Sequence, residues 1–245
     1  MRWLIPVLLF ALSACEVVPT VQPAPGPAPS PQRSESQSSG VLRGRAEQAA
    51  RTFVQVVQTV EPVAESECRR VAPRMNCDFQ ILVDDRPGQA PNAFQTIGPD
   101  GRPIIAFNLA LIASVENADE LAFVMGHESA HHIMGHLART QQNAAVGAVI
   151  FSGLAAMSGA NADSVRSAEE FGAAVGARSY SKDFELEADR LGTIVTMRAG
   201  FNAVRGAAFF TRIPDPGNRF LGTHPPNAQR IDVVRRTAQD LSSGM

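Results

Sequence analysis

Residues 127–136 read HESAHHIMGH, and four of the chain's five histidines fall within these ten positions. His127 and His131 are four residues apart. On a helix that spacing puts both imidazoles on one face, one turn apart. Two such nitrogens can hold one zinc ion at about 2.0–2.1 Å each. Glu128 is rotated by about 100° from His127, so it is free of the ligand role and can reach a water on the metal. This is the HExxH pattern, with the glutamate as general base. His132 points elsewhere and is expected to be a surface or packing residue. His136 is too far round a continuous helix for the same metal and is expected to support a ligand from behind.

The flanking sequence supports a helix here. Asn117-Ala118-Asp119-Glu120 offers a cap and first-turn acids, and apolar positions recur from Leu121 to Ile133, so a helix is expected to about Arg139. Upstream, apolar residues from Ala46 to Val60 recur at helical spacing and predict a helix over 42–61, ending before Pro62. Phe79–Val83 and Pro103–Asn108 read as strands, and Gly98-Pro99-Asp100-Gly101 as a hairpin turn. Residues 144–160 are apolar and rich in small side chains; a helix packed on the domain is expected, in preference to a membrane-dipping segment. Further helices are expected over 180–199, stopped by Gly200, and 226–241.

A catalytic zinc takes a third protein ligand. The candidate segment is SYSKDFELEADRLG, 179–192. Glu185 and Asp189 share a helical face, so Glu185 can bind the metal while Asp189 accepts a hydrogen bond from a ligand histidine. Glu187 is the rival ligand on spacing alone.

HExxH followed by ExxxD resembles the zinc metallopeptidases of the HtpX and CAAX prenyl protease family, over most of residues 90–235. The resemblance implies an α+β zincin (gluzincin-like) domain, mostly helical, with a small β-sheet beside the HExxH helix. It implies one Zn2+ per chain on His127, His131 and Glu185, with Asp189 and His136 behind them. The Pro91–Phe94 stretch also fits the family. So does THPPNAQRI, 223–231. It would bring His224 to the mouth of the site, either to stabilise an oxyanion or to bind the zinc until substrate arrives. Arg230 would anchor that segment.

The chemistry expected is peptide hydrolysis with Glu128 as base. The strand Pro103, Ile104, Ile105, Ala106, Phe107, Asn108 is expected to pair with an extended substrate, a mode that reads little side-chain sequence. Zinc bound in a chaperone-like module with weak proteolysis is the alternative. The chain lacks the long apolar helices of the integral-membrane relatives, and resembles a short, lipid-anchored periplasmic branch.

The N-terminus supports that placement. MRWLIPVLLFALSAC has one early positive charge, a short apolar run and small residues, as a secretory signal has. Leu12-Ser13-Ala14-Cys15 resembles a bacterial lipobox. The organisation expected is a signal peptide over 1–14, a lipid-anchored Pro/Ser-rich linker over 15–40 and a peptidase domain over 41–245. Glu16, where inner-membrane lipoproteins usually have Asp, favours the outer membrane facing the periplasm. In an oxidising compartment Cys68 and Cys77 are expected to pair. A net charge of −2 without a basic run argues against nucleic acid as a partner. Unfolded envelope proteins are the expected substrates.

Overall fold

The computed structural model describes residues 31–179, 181–215, 217 and 224–244, with side chains from residue 40 onward. The chain divides into two units, residues 1–42 and 43–245. Described residues of the first are the opening turns of helix α1, Pro31–Val71.

The second unit is mostly helical with a small sheet. Strands β1 (Gln80–Asp84), β2 (Ala93–Ile97) and β3 (Pro103–Asn108) are followed by α2 (Leu109–Ser114), α3 (Ala118–Ile133), α4 (His136–Met157), α5 (Ala162–Ser179), α6 (Ser181–Arg198), α7 (Ala203–Gly206), a 3-10 turn (Ala207–Thr211) and α8 (Asn227–Ser243). Val56, Val60, Ala64 and Cys68 recur every four residues on α1 and are buried against Phe79, Ile105 and Phe107 of the sheet region and Leu121 and Met125 of α3. Cys68 and Cys77 form a disulfide that ties the end of α1 to the approach to β1.

Four expectations need correction. Helix α1 begins at Pro31, within the stretch expected to be a linker; proline suits a first helical position, where its missing N–H costs nothing. It also runs through Pro62 to Val71. Pro62 and Gln58, the residue whose carbonyl loses its donor, are both exposed, so water can serve that oxygen while Val60, Ala64 and Cys68 hold the buried face. Helix α3 stops at Ile133 rather than near Arg139. Gly135 adopts φ 65°, a left-handed conformation that costs glycine little, and a new helix starts at His136.

The fourth concerns the substrate strand. The sheet order is β1-β3-β2: β3 pairs in parallel with β1 and antiparallel with β2. Residues Pro103–Asn108 are therefore bonded on both sides and have no edge for a substrate. Within this sheet the edge strands are β1 and β2.

Candidate metal centre

Helices α3 and α6 approach backbone to backbone. A Cβ on Gly126 would lie 2.8 Å from the Gly192 carbonyl oxygen, and one on Gly192 would lie 2.8 Å from the His127 nitrogen. Only glycine fits at these two positions, and their contact brings Glu185 of α6 up to the histidines of α3. His127 Nε2 and His131 Nε2 are 3.0 Å apart. Glu185 Oε2 lies 3.5 Å from the first and Glu185 Oε1 3.3 Å from the second. The three side chains offer ligand atoms within 4.8 Å of one another.

The surroundings fix which ring nitrogen carries a proton. His127 Nδ1 is 2.9 Å from Asp189 Oδ1, so Nδ1–H donates there and the Nε2 lone pair faces the cluster. Arg230 donates to both oxygens of Asp189, at 2.8 and 2.7 Å, and lies 3.9 Å over the Phe210 ring. On the other side His131 Nδ1 is 2.9 Å from His136 Nδ1, and His136 Nε2 is 3.0 Å from Glu187. Burial pushes the His136 pKa down to about 4, so its ring is neutral at pH 7. It then donates from Nε2 to Glu187 and accepts at Nδ1 from His131, which again leaves an Nε2 lone pair for the cluster. Arg139 holds Glu187 from outside at 2.7 Å.

The electrostatics favour a cation at this point. Burial opposes charge on His127, but its hydrogen bonds to Asp189 and Glu185 outweigh that and raise its pKa well above the ordinary imidazole range. Burial likewise opposes charge on Glu185, and hydrogen bonds from His127, His131 and His224 hold it well below the usual carboxylate range. Carboxylates that stabilise a proton on His127 stabilise a metal cation in the same place. Two oriented imidazoles and one carboxylate are a donor set that suits zinc.

The centre lies on the wall of a cleft of ≈ 760 Å³. Glu128, half-buried, faces this cleft beside His127 and His131. Residues 90–95, leading into and along β2, line it, as do Leu111, Phe123, Val124, Phe209 and Ile213. His224 is exposed at its edge, with Nδ1 3.2 Å from Glu185 Oε2; residues 218–223, which include the first residue of THPPNAQRI, lie outside the described residues.

Glu187, the rival ligand on spacing, is turned away to His136 and Arg139. His132 is buried, bonds the Asn76 carbonyl at 2.7 Å and packs edge-on against Phe79. Sequence reasoning missed the Gly126–Gly192 contact, Phe210 beneath Arg230, and the clamp of Arg212 on buried Glu120 at 2.7 and 2.5 Å, which positions the cleft-lining Arg212. A glycine inside each motif-bearing helix was the available signal for the first.

Helix-borne HExxH, a glutamate from a second helix and an open cleft define a metallopeptidase centre. The chain belongs to peptidase family M48, which it matches over residues 51–238. It is 33% identical over 161 residues to a putative beta-barrel assembly-enhancing protease of Vibrio cholerae, across 60% of this chain and 32% of that protein. It is 27% identical over 172 residues to the beta-barrel assembly-enhancing protease of Escherichia coli K12, across 61% and 33%. The mitochondrial metalloendopeptidase OMA1 of Saccharomyces cerevisiae is 28% identical over 168 residues, across 64% and 46%. Each match spans less than half of the relative's length.

Proposed function

We propose that this metallopeptidase is a zinc-dependent endopeptidase of the bacterial cell envelope that hydrolyses unfolded or misassembled proteins. The observation that carries the chemistry is the convergence of His127, His131 and Glu185 beside Glu128 on an open cleft. His127 Nε2, His131 Nε2 and a Glu185 oxygen would hold the ion, one per chain. When bound, zinc polarises a carbonyl and lowers the pKa of water from 15.7 toward about 7. Glu128 takes the proton of the attacking water and returns it to the leaving amine. Asp189, held by Arg230, and His136, held by Glu187, keep the two imidazoles in the ligating tautomer. Edge strand β2 replaces β3 as the place where an extended substrate adds, because its residues line the cleft. The apolar cleft wall suits the side chains that unfolded proteins expose.

His224 stands where it can donate to an oxyanion, yet its contact with Glu185 also competes for a ligand oxygen. That contact supports a second reading, a module that binds unfolded chains with latent proteolysis. The variant His224→Ala separates the two: lost turnover assigns the oxyanion role, and gained turnover assigns a latch.

The envelope assignment draws on the lipobox-like Leu12–Cys15, which lies outside the described residues, and on the relatives named for beta-barrel assembly. The described helices include none long and apolar enough to cross a membrane. Mass measurement of the mature chain tests cleavage before Cys15 and its lipidation. Zinc content and casein cleavage, measured together, test the chemistry. We expect one zinc per chain in both the unmutated protein and Glu128→Gln, with cleavage reduced by about 10²–10⁴-fold in the variant. Full activity in Glu128→Gln would overturn the assignment.

A further inference from the structure

Helices α4 and α5 form an antiparallel pair that leaves a broad apolar face in solvent. Val146, Val149, Ile150, Leu154 and Met157 of α4 are 52, 72, 52, 58 and 88% exposed. Gly147 and Gly172 are the buried residues of these helices beyond His136 at the start of α4. The backbones touch there: a Cβ on Gly147 would lie 2.1 Å from the Gly172 oxygen, and one on Gly176 would lie 2.1 Å from the Asn143 oxygen.

Helix geometry shows that the pair is two-sided. At about 100° per residue, all five exposed residues of α4 lie to the same side of Gly147. On α5, Phe171, 59% exposed, lies to one side of Gly172, whereas Arg166, Glu169 and Glu170 lie to the other. In an antiparallel pair joined at these glycines, the Phe171 side and the α4 stripe form one continuous face. Exposed Arg178 falls on that face near the base of the pair, and the acids are on the reverse.

We infer that this face docks in the plane of an anionic lipid surface, with the polar reverse of α5 kept in water. Four observations favour lipid over a protein partner. No Asp, Glu, Lys or Arg occurs from 140 to 162. The exposed α4 stripe is aliphatic, without the Trp, Tyr or Arg anchors that dominate protein interfaces, and is flanked on α5 by Phe171 and, at the base, Arg178. The Ser152 and Ser158 hydroxyls of α4 and its turn are satisfied internally: Ser152 donates to the Ala148 carbonyl and Ser158 to the Leu154 carbonyl, each at 2.8 Å. The turn is closed in the same way, with Ser158, Gly159 and Ala160 N–H groups bonded to carbonyls of residues 154–156. A tip with its polar groups so paired can enter a headgroup layer at little desolvation cost. Small residues at the helix contact are also the packing used within lipid. The pair lies on the surface rather than across it, as amphipathic helices do. Arg178 is placed to meet anionic headgroups. The lipid anchor proposed at Cys15 would add to this by holding the face close to a membrane, and the face is inferred to bind without it.

The test uses residues 16–245, which keep every described residue and lack both the lipid and the single Trp of the sequence, Trp3. Tryptophan reporters are placed by Leu154→Trp and, on the reverse, Arg166→Trp. The probe is vesicles of phosphatidylethanolamine and phosphatidylglycerol. We expect a blue shift and quenching by brominated lipid for the first reporter and neither for the second. Ile150→Glu with Leu154→Glu should lower vesicle binding by about tenfold or more and leave casein cleavage in solution intact. Absence of a shift in a casein-active chain would overturn the inference. So would concentration-dependent self-association removed by the same double variant, which assigns the face to a second copy. Because this chain has no lipid, its result stands apart from the mass measurement that tests the anchor.

Discussion

Two helix pairs in this protein touch through glycine, and they use the contact in opposite ways. Between α3 and α6, Gly126 and Gly192 bring together buried polar groups, and every ligand side chain there has a hydrogen-bonded or charged neighbour. Between α4 and α5, Gly147, Gly172 and Gly176 bring together two helices whose apolar side chains mostly face out. The first contact sets the distance between Glu185 and the two histidines of the candidate centre. The second makes a thin pair with two different faces. A close glycine contact therefore does not by itself indicate a core; what surrounds it decides the use.

The largest effect should come from enlarging the first contact. Gly192→Val places atoms against the His127 backbone. It should destabilise the fold by about 1–3 kcal/mol and reduce cleavage by about 10²-fold or more, since a displacement near 1 Å is enough for that. Thermal unfolding, metal content and casein turnover check it together. Retained activity would show that the contact is not what positions Glu185.

Next is the group behind the ligand. Asp189→Asn removes the negative charge and one of the two acceptor oxygens shared by His127 and Arg230, and leaves Arg230 with Glu185, 3.4 Å away, as its remaining buried carboxylate. Zinc affinity and activity should each fall by about 10–100-fold, measured by metal competition and by turnover on the same preparations. An equal change in Glu187→Gln would show that the two histidines depend on their supports alike.

The second contact should behave differently. Gly172→Val forces α4 and α5 apart, so amides of 140–175 should exchange faster with solvent while cleavage in solution changes by no more than about threefold. A loss of activity comparable to that of Gly192→Val would erase the distinction between the pairs.

The smallest effect tests a pairing away from both. Burial opposes charge on Glu67, but hydrogen bonds from Arg70 and Arg198 outweigh it and hold its pKa below the ordinary value. The stability gained is present above about pH 4.5 and is lost as pH falls through the lower folded value. Glu67→Gln should cost about 1–2 kcal/mol at pH 7, and the difference should close in acid, as denaturant melts at several pH values would show.

The candidate metal centre was more legible than its setting. HExxH and the Glu185/Asp189 pair declare themselves because ligand geometry on a helix is local, and resemblance settled Glu185 over Glu187. The β2–β3 hairpin was readable from its turn. The central position of β3 was not, because strand order depends on the pairing of β1 across a long connection. Helix α5 escaped notice because its apolar side makes sense only against α4. The break at Gly135 was hidden by apolar spacing that continues past it.

That break has a mechanical consequence. Beyond Gly135 the chain restarts as α4, whose first residue, His136, bonds His131 and whose last turn is the exposed Met157 tip. Twenty-two residues of unbroken helix, about 33 Å long, join the two. His136, the support of the candidate ligand His131, and the apolar tip are opposite ends of one stiff rod, so a load placed on the tip is delivered to the ring that holds His131.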